Sequence, residues 1–214
     1  MIKTTIVGYG KTQTKLMEHY MDRLEKYLPL YYPNISWQFL DVRLKEGTSK
    51  KYNENLKSKV LVYNPNIVFV ELSLEELNTN NATFVSLDTY ENELDNLINE
   101  IKSSNNRTGL NGCMPIPILI TPIPMKESKE DRGCSNSRIS QYTYRAKTVS
   151  AKHDCPIIDL FSIMRKQPQY EEQFINEEGT ALNEKGVDLL YDIVFIELTR
   201  LINYQGVLKD RFIS

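Results

Sequence analysis

Five short β-branched segments set the rhythm of this chain, at residues 4–7, 35–42, 67–72, 116–121 and 156–160. Two of them, IVFVEL and IPILIT, are apolar almost without interruption, as expected of parallel strands covered on both faces. Longer amphipathic stretches lie between and after them, at 14–28, 49–63, 87–103, 138–152 and 184–203, and their spacing predicts helices. In the last of these, Val187, Leu190, Val194, Leu198 and Leu201 recur every three or four residues, which lays one apolar stripe along a helix. Strands alternating with helices require crossovers, and right-handed crossovers place helices on both faces of the sheet. The expected fold is therefore α/β: a five-stranded parallel sheet in a three-layer α/β/α, doubly wound architecture. Ligands of such sheets bind beyond the carboxyl ends of the strands, where the strand order reverses. The turns that leave the strands are where chemistry is expected.

Composition supports one folded unit spanning residues 1–214, since 41% of the residues are hydrophobic and 25% charged, ordinary globular usage. The formal net charge is only −2, with acids and bases interspersed, so no strong field favours nucleic acid or an anionic membrane. The opening MIKTTIVGYG enters a β-branched run at once and lacks the apolar stretch of a signal peptide. No apolar run approaches the length of a membrane span. A soluble, cytoplasmic protein is expected. Cys113, Cys134 and Cys155 are widely spaced, without a CxxC pair, and read as free thiols rather than zinc or redox ligands. No cofactor is implied. Two polar stretches, 78–86 and 125–137, read as solvated loops at the functional edge, with a lid over a pocket as the alternative.

The segment Ile6-Val7-Gly8-Tyr9-Gly10-Lys11-Thr12-Gln13-Thr14 ends the first strand. Gly47 follows the second in KEGTS, and Ser73-Leu74-Glu75-Glu76 follows the third. The fourth strand exits through Pro122-Ile123-Pro124, and a late segment reads Glu178-Gly179-Thr180-Ala181-Leu182-Asn183-Glu184-Lys185-Gly186. Taken in order, this set resembles the SGNH/GDSL hydrolases, which carry Gly-Asp-Ser, a glycine, Gly-x-Asn-Asp and Asp-x-x-His at these places. The resemblance runs from about residue 4 to residue 201 and implies the flavodoxin-like arrangement of that family.

The resemblance also implies which residues stand at the family's catalytic positions: Thr12 for the serine, Gly47 for the glycine donor, Glu75 for the asparagine donor, Glu178 for the aspartate and Ala181 for the histidine. A register shifted by two residues puts Gly10 in place of Thr12. In that family serine attacks an ester carbonyl, the late histidine takes its proton and the aspartate orients the histidine. A hydroxyl at its free pKa is a poor nucleophile without an adjacent base, and here a methyl group stands where the base belongs. Glu75 exchanges an amide donor for an acceptor-only carboxylate, which repels a developing oxyanion. A non-hydrolytic pseudoenzyme binding a small molecule or a protein is the expected function. The alternative is an ester hydrolase or acyl-transfer enzyme with a rearranged site, in which Thr12 attacks and Glu178 or Glu75 serves as base.

Each of these residues has a plainer reading as well. Thr12 is expected to cap a helix, Lys11 to be solvated, and Gly47 to permit a tight turn. His19 and His153 read as surface or helix-end histidines rather than bases. Glu75, Glu76 and Glu178 form a possible oxygen set for a hard divalent cation, though carboxylates at strand ends are more often solvated. Tyr27, Leu30, Tyr31, Tyr32 and Trp37 read as a helix-to-strand connection folded on the core, with a role in assembly as the alternative.

Overall fold

The structure is a computed structural model that describes residues 2–104, 114–131 and 133–203. Five strands, β1 (Ile2–Gly10), β2 (Ile35–Arg43), β3 (Ile67–Glu71), β4 (Ile116–Ile120) and β5 (Ile157–Ile158), form one sheet in the order β2-β1-β3-β4-β5. Every neighbouring pair is parallel. Strand order reverses between β1 and β3, so a crevice opens there at the carboxyl ends. The central strand β3 is buried at all five positions, which explains why its sequence is apolar without alternation.

Seven helices complete the described chain: α1 (Tyr20–Tyr31), α2 (Ser49–Lys59), α3 (Leu87–Ser103), α4 (Asn136–Lys152), α5 (Leu160–Arg165), α6 (Tyr170–Phe174) and α7 (Glu184–Asn203). Helices α2, α3 and α4 cover one face, where Leu56, Leu94 and Ile139 pack with Val68 and Val70. Helices α1 and α7 cover the other, where Leu24, Leu190 and Val194 pack with Ile67 and Phe69. The stripe Val187, Leu190, Val194, Leu198 and Leu201 is buried, as its spacing predicts. Side-chain caps start the helices on the first face. Thr48 accepts the Lys51 N–H at 3.2 Å, Ser86 the Thr89 N–H at 3.2 Å and Ser135 the Arg138 N–H at 3.3 Å, each satisfying an orphan donor of the first turn.

The chain departs from expectation after β1. Helix α1 begins at Tyr20 rather than residue 14, so Thr12 caps no helix. Thr14 instead forms a parallel bridge with Leu182, and the Leu182 N–H donates to the Gln13 carbonyl at 2.8 Å. This long-range pairing keeps the segment out of the helix, the chain bends at residues 16 to 18, and the His19 N–H then donates to Asp22 Oδ2 at 2.7 Å and opens α1. Helix α2 stops at Lys59 and a 3-10 turn, Leu61–Tyr63, follows. At the far edge of the sheet, only Ile157 and Ile158 pair with β4. The short helices α5 and α6 were not legible as periodic segments.

Cys134 and Cys155 are free and buried, while Cys113 lies outside the described residues. Tyr32 and Trp37 pack partly onto the core, but Leu30 and Tyr31 are 72% and 66% exposed, so the aromatic connection is only half folded inward. No helix of the described residues is long and apolar enough to cross a membrane.

Candidate functional site

A cleft of about 670 Å³ opens at the carboxyl edge of the sheet, at the reversal of strand order. Its walls come from the segment leaving β1 (Lys11 to Lys15), the end of β2 (Arg43, Leu44) and the turn after β3 (Ser73 to Glu75). Thr180 and Ala181 close it from the late segment, Ile123 and Met125 from the exit of β4. The two polar loops contribute Asn78, Asn81 and Cys134 to the walls. Three of the five sequence-predicted positions, Thr12, Glu75 and Ala181, therefore line one cleft.

Tyrosines tie the strand exits together beneath it. The Tyr9 hydroxyl donates to the Tyr52 carbonyl at 2.6 Å, and the Tyr52 hydroxyl donates to the Glu71 carbonyl at 2.7 Å while accepting the Lys11 N–H at 3.3 Å. Tyr52 thus clamps the turn after β1 to the end of β3. Gly10, with φ at +134°, makes that turn, and a Cβ there would lie 2.6 Å from the Glu71 carbonyl oxygen. A serine at position 10 has no room, so the shifted register offers no nucleophile.

Glu75 holds the centre of the site. Its Oε2 accepts the Gly47 N–H at 2.8 Å and Lys11 Nζ at 2.8 Å. Its backbone is fixed by Ser73 Oγ, which accepts the Glu75 N–H, and by Asn81 and Thr83, which donate to its carbonyl. Partial burial raises the carboxyl, but Lys11 and the Gly47 N–H outweigh this and hold it below the ordinary carboxylate range. Glu75 is ionised. Lys11, read from sequence as solvated, is instead its counter-ion.

Glu76 points elsewhere. Its Oε2 accepts both the N–H and the hydroxyl of Ser49 at 2.8 Å, at the start of α2. Burial pushes its carboxyl up to about 7, against the pull of the Ser49 donors. Glu178 sits on the turn before α7 and pairs with Lys15, both well exposed. The three glutamates thus face three different partners, and no group of three or more His, Cys, Asp or Glu among the described residues is placed to hold a metal ion.

The late turn is built on Asn176, whose Oδ1 accepts the N–H groups of Gly179 and Ala181 at 3.0 and 3.3 Å. That turn presents Ala181 to the cleft. Thr12 Oγ1 accepts the Thr14 N–H at 3.3 Å, and among the described residues no hydrogen bond joins it to Glu75, Glu178 or an imidazole. His153 ends α4 and pairs with Asp95 at 2.8 Å, a helix-end role as expected. His19 also sits at a helix end, but it is buried rather than superficial: its ring lies 3.5 Å from Glu71. Burial lowers its pKa, and the Glu71 carboxylate more than offsets this, leaving it raised.

Sequence reasoning missed Lys15 and Arg43, because what brings them to the cleft is the Thr14 to Leu182 pairing and the sheet order rather than any local pattern, whereas Asn81 lies in the polar loop expected at this edge and is seated locally by the Glu75 carbonyl.

Solved structures share this architecture over nearly their whole length. A lipase/acylhydrolase from Enterococcus faecalis superposes with a TM-score of 0.75 at 21% identity, covering 92% of this chain and 95% of its own. The acetyl xylan esterase AlAXEase gives 0.74 at 14% identity, covering 91% and 99%. An acetylxylan esterase from Geobacillus stearothermophilus gives 0.71 at 15% identity, covering 98% and 97%. The fold is therefore that of SGNH-type esterases and acylhydrolases. No protein-family model matches the chain, and no curated protein does.

Proposed function

We propose that this chain is a non-hydrolytic SGNH-like protein, a pseudoenzyme that keeps the cleft of its fold and uses it to bind a small molecule or a protein partner. The observation that carries the reading is the seat of Glu75 on the Gly47 N–H and Lys11 Nζ. Ester hydrolysis places negative charge on the carbonyl oxygen, and donors aimed at that oxygen lower the barrier. Here the donors are already engaged by a carboxylate that is ionised near neutral pH. A developing oxyanion meets repulsion instead of stabilisation.

The proton side of the reaction is equally bare. Ala181 carries a methyl group where a general base is needed, and among the described residues no hydrogen bond joins the Thr12 hydroxyl to a base. A serine hydrolase that loses its nucleophile or its base falls about a million-fold in turnover. For the rearranged hydrolase, Glu75 is a poor substitute, because a carboxylate held below its ordinary pKa accepts a proton less readily.

The test is direct. Acetyl and butyryl nitrophenyl esters should be turned over no faster than in buffer, and a fluorophosphonate should leave Thr12 unlabelled. Hydrolysis abolished by Thr12→Ala would overturn the proposal.

A further inference from the structure

The charges lining the cleft are unbalanced. Lys11, Lys15 and Arg43 face it against a single carboxylate, Glu75, although the chain as a whole carries −2. Glu75 neutralises Lys11. Lys15 and Arg43 pair with Glu178 and Asp41, neither of which is part of the cleft lining. The Lys15 to Glu178 pair is 65% and 58% exposed on its two sides, and an exposed pair holds its partners weakly. Lys15 is therefore able to exchange its outer carboxylate for an anion inside, and Arg43, which meets Asp41 through Nε at 2.5 Å, carries its terminal guanidinium N–H groups besides. A concave site in which cations outnumber carboxylates, as Lys11, Lys15 and Arg43 outnumber Glu75 here, also favours an anion.

The rest of the lining mixes polar, uncharged groups, among them Thr12, Ser73, Asn81 and Thr180, with apolar ones, among them Leu44, Ile123 and Met125. Hydroxyl and amide groups both donate and accept, which suits a ligand carrying several hydroxyls. The volume of about 670 Å³ accommodates a small molecule.

We propose that the cleft binds a hydroxylated organic acid, of the class of sugar acids, with its carboxylate taken by Lys15 and Arg43 and its hydroxyls by the threonine, serine and asparagine side chains. An arginine fork matches carboxylate geometry, whereas a lysine adds a point charge. The inference deepens the non-hydrolytic reading and rests on it: a retained cleft has a ligand, and Lys15, Arg43 and the hydroxyl-rich wall define its chemistry.

Titration calorimetry with gluconate, glucuronate and galacturonate tests it, with glucose as the neutral comparison and inorganic phosphate as the bare anion. At least one of the three acids is expected to bind saturably, and more tightly than glucose and phosphate. Lys15→Ala and Arg43→Ala should each weaken that binding about ten- to hundred-fold, the worth of a hydrogen bond to a charged group. Lys26→Ala, on the outer side of α1, should leave it unchanged. No heat from any of the three acids, glucose or phosphate binding as tightly as the acids, or full affinity in both cleft variants would overturn the proposal. Ester turnover is read separately on the same preparation. Thr12-dependent hydrolysis would refute the non-hydrolytic reading, whereas failure of acid binding alone would refute only this inference.

Discussion

Gly47 and Ser73 approach so closely that a Cβ on Gly47 would lie 2.5 Å from Ser73 Cβ and 2.6 Å from Ser73 Oγ. The contact presses the turn after β2 against the turn after β3, and so brings the Gly47 N–H to Glu75. Gly47→Ala is expected to destabilise the fold by about 1–3 kcal/mol, the usual range for overpacking. Combining it with Ser73→Gly should recover part of that loss, a coupling that denaturant midpoints of the two single variants and the double variant will measure. Simple additivity would show that the two turns do not meet.

Glu75 makes the molecule sensitive to acid. A carboxyl depressed in the folded state adds stability that is present above its ordinary pKa of 4.5 and is lost as pH falls through the folded value. Glu75→Gln should remove that acid-side loss. Its effect near neutral pH should be about 1 kcal/mol or less, because Lys11 is partly exposed. Urea unfolding from about pH 6 down to about pH 3 reads both.

Glu76 acts in the opposite sense. Its carboxyl is raised from 4.5 to about 7 in the folded state, so the fold binds a proton that the unfolded chain releases between those values. Stability from this group is greatest in mild acid and declines as pH rises from 4.5 to about 7, by about 3 kcal/mol in all. His19, also raised through Glu71, adds to the decline: its contribution is full below its ordinary 6.5 and is lost above its folded pKa. Glu76→Gln should flatten the larger part of the slope. Thermal melts of the two proteins at about pH 5.5 and about pH 8 will show whether the wild-type difference shrinks.

Restoring one piece of a hydrolase should restore nothing. On the non-hydrolytic reading, Ala181→His supplies an imidazole to the cleft while Glu75 still occupies the donors, and Glu75→Asn supplies an amide while, among the described residues, no base is hydrogen-bonded to Thr12. Each single variant should leave ester turnover at the background rate, since nucleophile, base and donors act as a unit. Turnover clearly above background in either single variant would mean that a second base or a second set of donors already lies in the cleft.

The sheet was legible because its central strands are covered on both faces, which forces continuous apolar runs such as those of β3 and β4. Helices α3 and α7 were legible to the residue because each turns one apolar stripe toward the sheet. The segment from Thr12 to His19 was not. Its composition suits a helix, but its conformation is set by Leu182, far along the chain, and local propensity carries no record of such a partner. Helices α5 and α6 are too short to show a period. Within the site, the family resemblance implied that Thr12, Glu75 and Ala181 meet, and they line one cleft, whereas the Lys11 counter-ion and the burial of His19 depended on neighbours that only the fold supplies.

The bridge between Thr14 and Leu182 has a temporal consequence. A chain emerging from the ribosome lays down β1 well before the wall that Ala181 supplies, which arrives only when the segment around Leu182 has been made. Until then the exit of β1 lacks its partner, and the cavity stands open on that side. Whatever enters the cleft meets that wall only once Ala181 and Leu182 have both been made and Leu182 has paired with Thr14.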